Sequence, residues 1–146
     1  MHGIMYCDRR IFHLAAFLSF AVVLVSLKAN EDFEAGDGLQ VTLSSSEPDI
    51  VSLSNIDIDH RGRVWACDVV NYRPNRGKRA AGDRILIMED VDGDGKMDTH
   101  KVFYQGTEVD AAMGLCVLSD RIIVSVTPKV WVFYDDDGDD RADRRE

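Results

Sequence analysis

Cysteine is scarce in this chain, and its placement excludes whole classes of chemistry. Of the three cysteines, Cys7 lies close to the start, too near it and without the preceding motif that a lipoprotein anchor needs. The other two, Cys67 and Cys116, are 49 positions apart, so no local zinc or haem motif can be drawn through them. There is no nucleophile elbow, no phosphate-binding glycine loop, no CxxCH and no Cys/His cluster. After Asn30 no window carries a capped 3.6-residue apolar period, which excludes an α-helical body. Nor is there a basic surplus: 17 Lys and Arg face 26 Asp and Glu. Ten of those acids crowd into two short stretches, at residues 90–98 and 135–143. Charge concentrated in this way points to cations and away from a nucleic-acid partner.

The one long apolar run lies at the N-terminus. Arg9 and Arg10 precede Ile11 to Leu27, and the polar Asn30-Glu31-Asp32 follows at once. A basic head, an apolar stretch and a polar exit are the parts of an export signal. Residues 1–29 are therefore expected to be a signal peptide, with 30–37 a short linker. Leu27-Lys28-Ala29 is a poor small-x-small cleavage site, so an uncleaved anchor, holding the chain to a membrane through Ile11–Leu27, is the alternative. Either way the expected location is extracytoplasmic, periplasmic or secreted. In that oxidising setting Cys67 and Cys116 either pair or serve as small buried side chains.

Beyond residue 38 the pattern is β. Short runs rich in β-branched and aromatic residues, bounded by Gly, Pro, Asp or Asn, occur at residues 39–43, 56–58, 63–70, 84–88, 101–104, 115–118, 121–126 and 129–134. Asp59-His60-Arg61-Gly62 has the Asp and Gly positions of a type I turn, and Ser119-Asp120 holds the equivalent place later. The chain also repeats itself. Residues 56–66 align with 115–124, and RILIMEDVDGDGKMD at 84–98 aligns with KVWVFYDDDGDDRAD at 129–143. The acidic stretches begin 45 positions apart, at Asp90 and Asp135. A period of this size fits one four-stranded blade of a β-propeller. The fold expected is all-β: about two antiparallel four-stranded blades, over residues 38–100 and 101–146. No strand is expected after Asp143. Because a propeller needs at least four blades, the remaining blades are expected to lie outside this sequence.

The acidic stretches carry the chemistry. In residues 90–98, Asp90, Asp92, Asp94 and Asp98 occupy positions 1, 3, 5 and 9, and the carbonyl of Lys96 falls at position 7. Hard oxygen donors at that spacing wrap a cation of calcium's size, and Gly95 at position 6 permits the sharp turn. Lys101 at position 12 and the flanking strands distinguish the loop from an EF-hand. Asp135, Asp137, Asp139 and Asp143, with the Arg141 carbonyl, repeat the set. There Asp140 replaces glycine at position 6, at a conformational cost of about 1 kcal/mol, so weaker binding is expected. The insertion at residues 71–82 holds Arg73, Arg76, Lys78 and Arg79, either as a solvated loop or as a face for an anionic partner. His60 is expected to be a polar turn residue, and Trp65 and Trp131 core.

Several stretches together carry a family resemblance: NIDIDHRGRVW at 55–65, VNYR at 70–73, GDRILI at 82–87, the loop at 90–98 and VFYQG at 102–106. In these the sequence resembles the N-terminus of the membrane-bound dehydrogenases of planctomycete-type bacteria. Those are large secreted proteins whose first domain is similar to the soluble quinoprotein glucose (sorbosone) dehydrogenase propeller. Many continue into helical repeats and a c-type cytochrome domain. The resemblance implies a propeller, calcium loops between strands and an extracytoplasmic redox setting for sugar or alcohol oxidation. Pyrroloquinoline quinone is implied only for a full-length protein, since quinone and catalytic histidine belong to a site assembled by several blades. No residue here matches that site. Catalytic and cofactor-binding residues are accordingly unassigned, and the chain alone is expected to be inactive. A calcium-stabilised binding or adhesion module is the alternative reading.

Overall fold

The structure, a computed structural model, describes residues 35–146. The expected signal or anchor segment lies outside the described residues. Among the described residues no helix is long and apolar enough to cross a membrane.

Among the described residues eight strands follow one another: β1 (Leu53–Ile58), β2 (Val64–Asp68), β3 (Asp83–Glu89), β4 (Thr99–Gly106), β5 (Gly114–Val117), β6 (Ile122–Val126), β7 (Lys129–Tyr134) and β8 (Arg144–Arg145). A single 3-10 turn, Thr107–Val109, separates β4 from β5. The strands form two antiparallel four-stranded sheets in sequential order, β1 to β4 and β5 to β8. The fold is all-β.

Side-chain alternation explains the packing. In β2 and β3, Trp65, Cys67, Ile85 and Ile87 face one way and join Phe103 of β4. They meet Ile122, Val124 and Phe133 of the second sheet in one core. Edge-on ring contacts fill it, with centroids of Trp65 and Phe103 4.9 Å apart and those of Phe103 and Phe133 6.5 Å apart. Ala66, Leu86 and Met88 face the other way, where Ile50 and Met97 cover them. Two buried faces account for the continuous apolar run of β3. The two sheets are also tied at their first strands: the Asn55 and Asp57 side chains of β1 accept hydrogen bonds from the Leu115 and Val117 amides of β5, at 3.0 and 2.7 Å.

Three expectations need correction. Residues 39–43 form no strand, and Leu39 and Leu43 are exposed. Their alternation is right for a strand, but with no hydrogen-bonded neighbouring strand among the described residues a five-residue segment gains nothing from extension. Second, β4 pairs with β3 along its whole length, Asp83 opposite Gly106 through Glu89 opposite Thr99. The boundary between sheets therefore falls after Gly106, not at residue 100. Third, a strand does follow Asp143: Arg144 and Arg145 pair with Tyr134 and Phe133, and Glu146 exchanges backbone bonds with Val132. Cys67 and Cys116 are unpaired. Cys67 is one of the buried small side chains, its thiol pushed up to about 12 chiefly by burial, whereas Cys116 is exposed.

Candidate functional site

The two aspartate loops join β3 to β4 and β7 to β8, and they fold alike. In the first, Asp90 caps the turn, its two oxygens accepting from the Gly93 and Gly95 amides at 2.7 and 2.8 Å. Asp98 closes it by accepting from the Val91 amide at 2.7 Å. In the second, Asp135 accepts from the Gly138 and Asp140 amides at 2.8 and 2.9 Å, and Asp143 from Asp136 at 2.7 Å. The chain can turn this tightly because Gly93 and Gly95 have φ of 77° and 88°. Gly138 and Asp140 match them with φ of 78° and 64°.

The result is a trio of carboxylates in each loop. Oxygens of Asp90, Asp92 and Asp98 lie within 4.8 Å of one another, as do those of Asp135, Asp137 and Asp143. Positions 1, 3 and 9 are thus brought together. Position 5 is not. Asp94 accepts from the Lys96 amide at 2.8 Å and stands 3.5 Å from the Lys96 ammonium, while Asp139 also lies outside its trio. Lys96 and Arg141, expected to supply carbonyls, sit within the same loops. Three hard carboxylate donors on a glycine-turned loop are the chemistry a calcium ion takes.

Sequence reasoning treated Asp140 as a flawed glycine, and the structure gives it a task. Its carboxylate accepts from Arg63 Nη1 at 2.7 Å and faces the Lys101 ammonium at 3.4 Å. Arg63 in turn donates through Nε to Asp59 at 2.8 Å, and the Trp65 indole donates to the same Asp59 oxygen at 3.0 Å. Burial pushes the Asp59 carboxyl up. The Trp65, Arg63 and Arg61 donors outweigh it and hold the pKa at about 2. For Asp140 too, burial raises and Arg63 with Lys101 lowers, with a net depression. The chain thereby links the β1–β2 turn of one sheet to the acidic loop of the other. His60 is exposed on that turn, beside a cleft of about 260 Å³ that Asp59, Arg121 and Asp140 help line.

At the opposite end of the sheets, two carboxylates are completely buried. Asp68 accepts from the Val51 and Ser52 amides at 3.1 and 2.9 Å and pairs with Arg79 and Arg84. Asp83 accepts from the Val70, Asn71 and Ala111 amides at 2.8 to 3.2 Å. Arg79, expected among the solvated cations of residues 71–82, is instead drawn inward to these acids. Among the described residues no buried side-chain nitrogen or oxygen lacks a partner. The sequence signal that could have found them is an acid at the end of each central strand, Asp68 closing β2 and Asp83 opening β3.

No curated protein and no solved structure matches the chain. A family model does, over residues 26–146, and the chain belongs to that family, described as domain of unknown function DUF7133.

Proposed function

We propose that this chain is an exported, calcium-binding part of a β-propeller, of the kind that opens quinoprotein-like sugar or alcohol dehydrogenases. The observation that carries the calcium reading is the duplicated trio, Asp90/Asp92/Asp98 and Asp135/Asp137/Asp143, each within 4.8 Å. Carboxylates so close repel unless a cation neutralises them, and the same arrangement recurs at the same place in both sheets. Asp90, Asp92 and Asp98 would hold one ion and Asp135, Asp137 and Asp143 another, with Asp94, Asp139 and the carbonyls of Lys96 and Arg141 completing the shells. Calcium there supplies positive charge that locks the outermost hairpin of each sheet; it has no reacting group beside it.

The propeller reading is supported by two sequential four-stranded sheets that touch through their first strands, β1 and β5, as blades do around an axis. The dehydrogenase reading rests on the sequence resemblance; it gives these residues a scaffolding share, since no catalytic residue is assigned here.

Calcium titration tests the proposal. At ten times its dissociation constant calcium should stabilise the protein by about 1.4 kcal/mol per site against urea. Asp92→Asn and Asp137→Asn should each remove one site. An unfolding midpoint indifferent to millimolar calcium, with no heat of binding, would refute it.

A further inference from the structure

Residues 71–82, which join β2 to β3, bring four cations to the end of the sheets away from the aspartate loops. Only Arg79 is committed, to the buried Asp68 and Asp83. Arg73 and Arg76 form no ion pair among the described residues, in a chain where acids outnumber bases. Both line one cleft of about 260 Å³, together with Tyr72, Ala111 and Met113, and no acidic side chain lines it. Tyr72 and Met113 are about half exposed there.

The cleft is built rather than incidental. Its floor is Asn71, which is buried, bonded through its side chain to the Arg79 backbone and to Asp110, and held by its amide on Asp83. Its far wall is Ala111, a non-glycine residue at φ 59°, fixed there by the bond from its amide to Asp83 at 3.0 Å. A left-handed alanine is strained, and such strain gathers where a backbone is shaped for a ligand. Two exposed guanidiniums lining one small cleft, with no acid beside them, give it a positive charge that an anion would neutralise. A carboxylate suits them through paired N–H bonds, and the tyrosine ring with the methionine thioether offers an apolar surface beside it.

We infer that this cleft, between residues 71–76 and the β4–β5 connection, binds a small organic anion, its carboxylate held by Arg73 and Arg76 and its apolar part resting on Tyr72 and Met113. The site is independent of the calcium loops.

The test uses the full chain, titrated with phthalate and separately with inorganic phosphate, and followed by amide chemical shifts. Phthalate is expected to give saturable shifts at Tyr72, Arg76 and Met113, and to bind about tenfold more tightly than phosphate. The pair Arg73→Ala/Arg76→Ala should weaken phthalate by about tenfold or more, whereas Lys78→Ala, in the same loop but off this cleft, should change it less than about twofold. If the alanine pair does not fold, Arg73→Gln/Arg76→Gln removes the charge while keeping a polar, partly extended side chain. Absence of saturable binding, equal affinity for phosphate, or an equal loss in Lys78→Ala would each overturn the assignment.

Discussion

Replacing Asp140 by glycine separates two accounts of the second loop. By sequence, Asp140 stands where the turn wants glycine, and Asp140→Gly should relieve about 1 kcal/mol of left-handed strain. The structure confirms the backbone requirement, with φ of 64° at Asp140 against 88° at Gly95. It also shows what the side chain does. Asp140 takes a 2.7 Å hydrogen bond from Arg63, whose side chain is only 8% exposed. Losing a charged partner at such a site costs about 1.5–3 kcal/mol. The Lys101 contact is more exposed and adds little. Glycine further loosens the unfolded chain, costing roughly 0.5–1 kcal/mol. Set against the strain relieved, Asp140→Gly should destabilise the calcium-free protein by about 2 kcal/mol. With a urea slope of about 2 kcal/mol per M, the midpoint should fall by roughly 1 M.

The pH dependence supplies a second check on the same substitution. The folded carboxyl of Asp140 lies below its ordinary value, so its stabilisation is present above the unfolded pKa of about 3.9 and is lost as pH falls through the folded one. The gap between wild type and Asp140→Gly should therefore be full at pH 7 and close in acid. Asp140→Asn tolerates the turn and keeps an acceptor without the charge, and should fall between the two. Were Asp140→Gly as stable as wild type at pH 7, or more so, the Arg63 link would carry no weight and the position would be a plain turn site.

Two further perturbations probe the buried acids. Asp68→Ala removes a fully buried carboxylate, leaving two partly buried arginines and two backbone amides without it, and should cost about 3–5 kcal/mol in urea unfolding; a loss under about 1 kcal/mol would contradict the network. Asp59 has a folded pKa of about 2, so its contribution is whole above about pH 4 and fades as pH falls towards 2; Asp59→Asn should flatten that part of the stability curve, as measured by unfolding at fixed pH steps.

What was legible in the sequence was whatever local pattern determines. The central strands were, because β-branched runs between Asp and Gly turns have few other uses. The aspartate loops were, because positions 1, 3 and 9 meet through a turn that the glycines dictate. Pairing was not legible. Residues 39–43 alternate as well as β1 does yet find no neighbour, whereas Arg144-Arg145 has no strand preference and becomes β8 because the loop returns it alongside β7. The buried acids were hidden for a related reason. Asp59, Asp68 and Asp83 look like turn residues; Asp59 is satisfied by its neighbours Arg61, Arg63 and Trp65, whereas Asp68 and Asp83 are buried through partners farther along the chain, such as Arg84 for Asp68 and Ala111 for Asp83. Asp94 and Asp139, at position 5, lie outside their trios, and Asp94 faces the Lys96 ammonium at 3.5 Å.

Strand order settles how these parts divide the work. Successive antiparallel strands send the β1–β2 turn and the loops β3–β4 and β7–β8 to one end of the sheets. The β2–β3 and β4–β5 connections go to the other. One end thus collects the aspartate trios and Asp140, and the other Arg73, Arg76 and Ala111. Strands of about six residues at roughly 3.4 Å each hold the two ends about 20 Å apart. At that distance a calcium ion held by the proposed loops would lie beyond a Debye length of about 8 Å and would not steer an anion toward the arginine cleft. The arginine end is held by its own network: Asp83, which opens β3, accepts from the Asn71 and Ala111 amides that line the cleft.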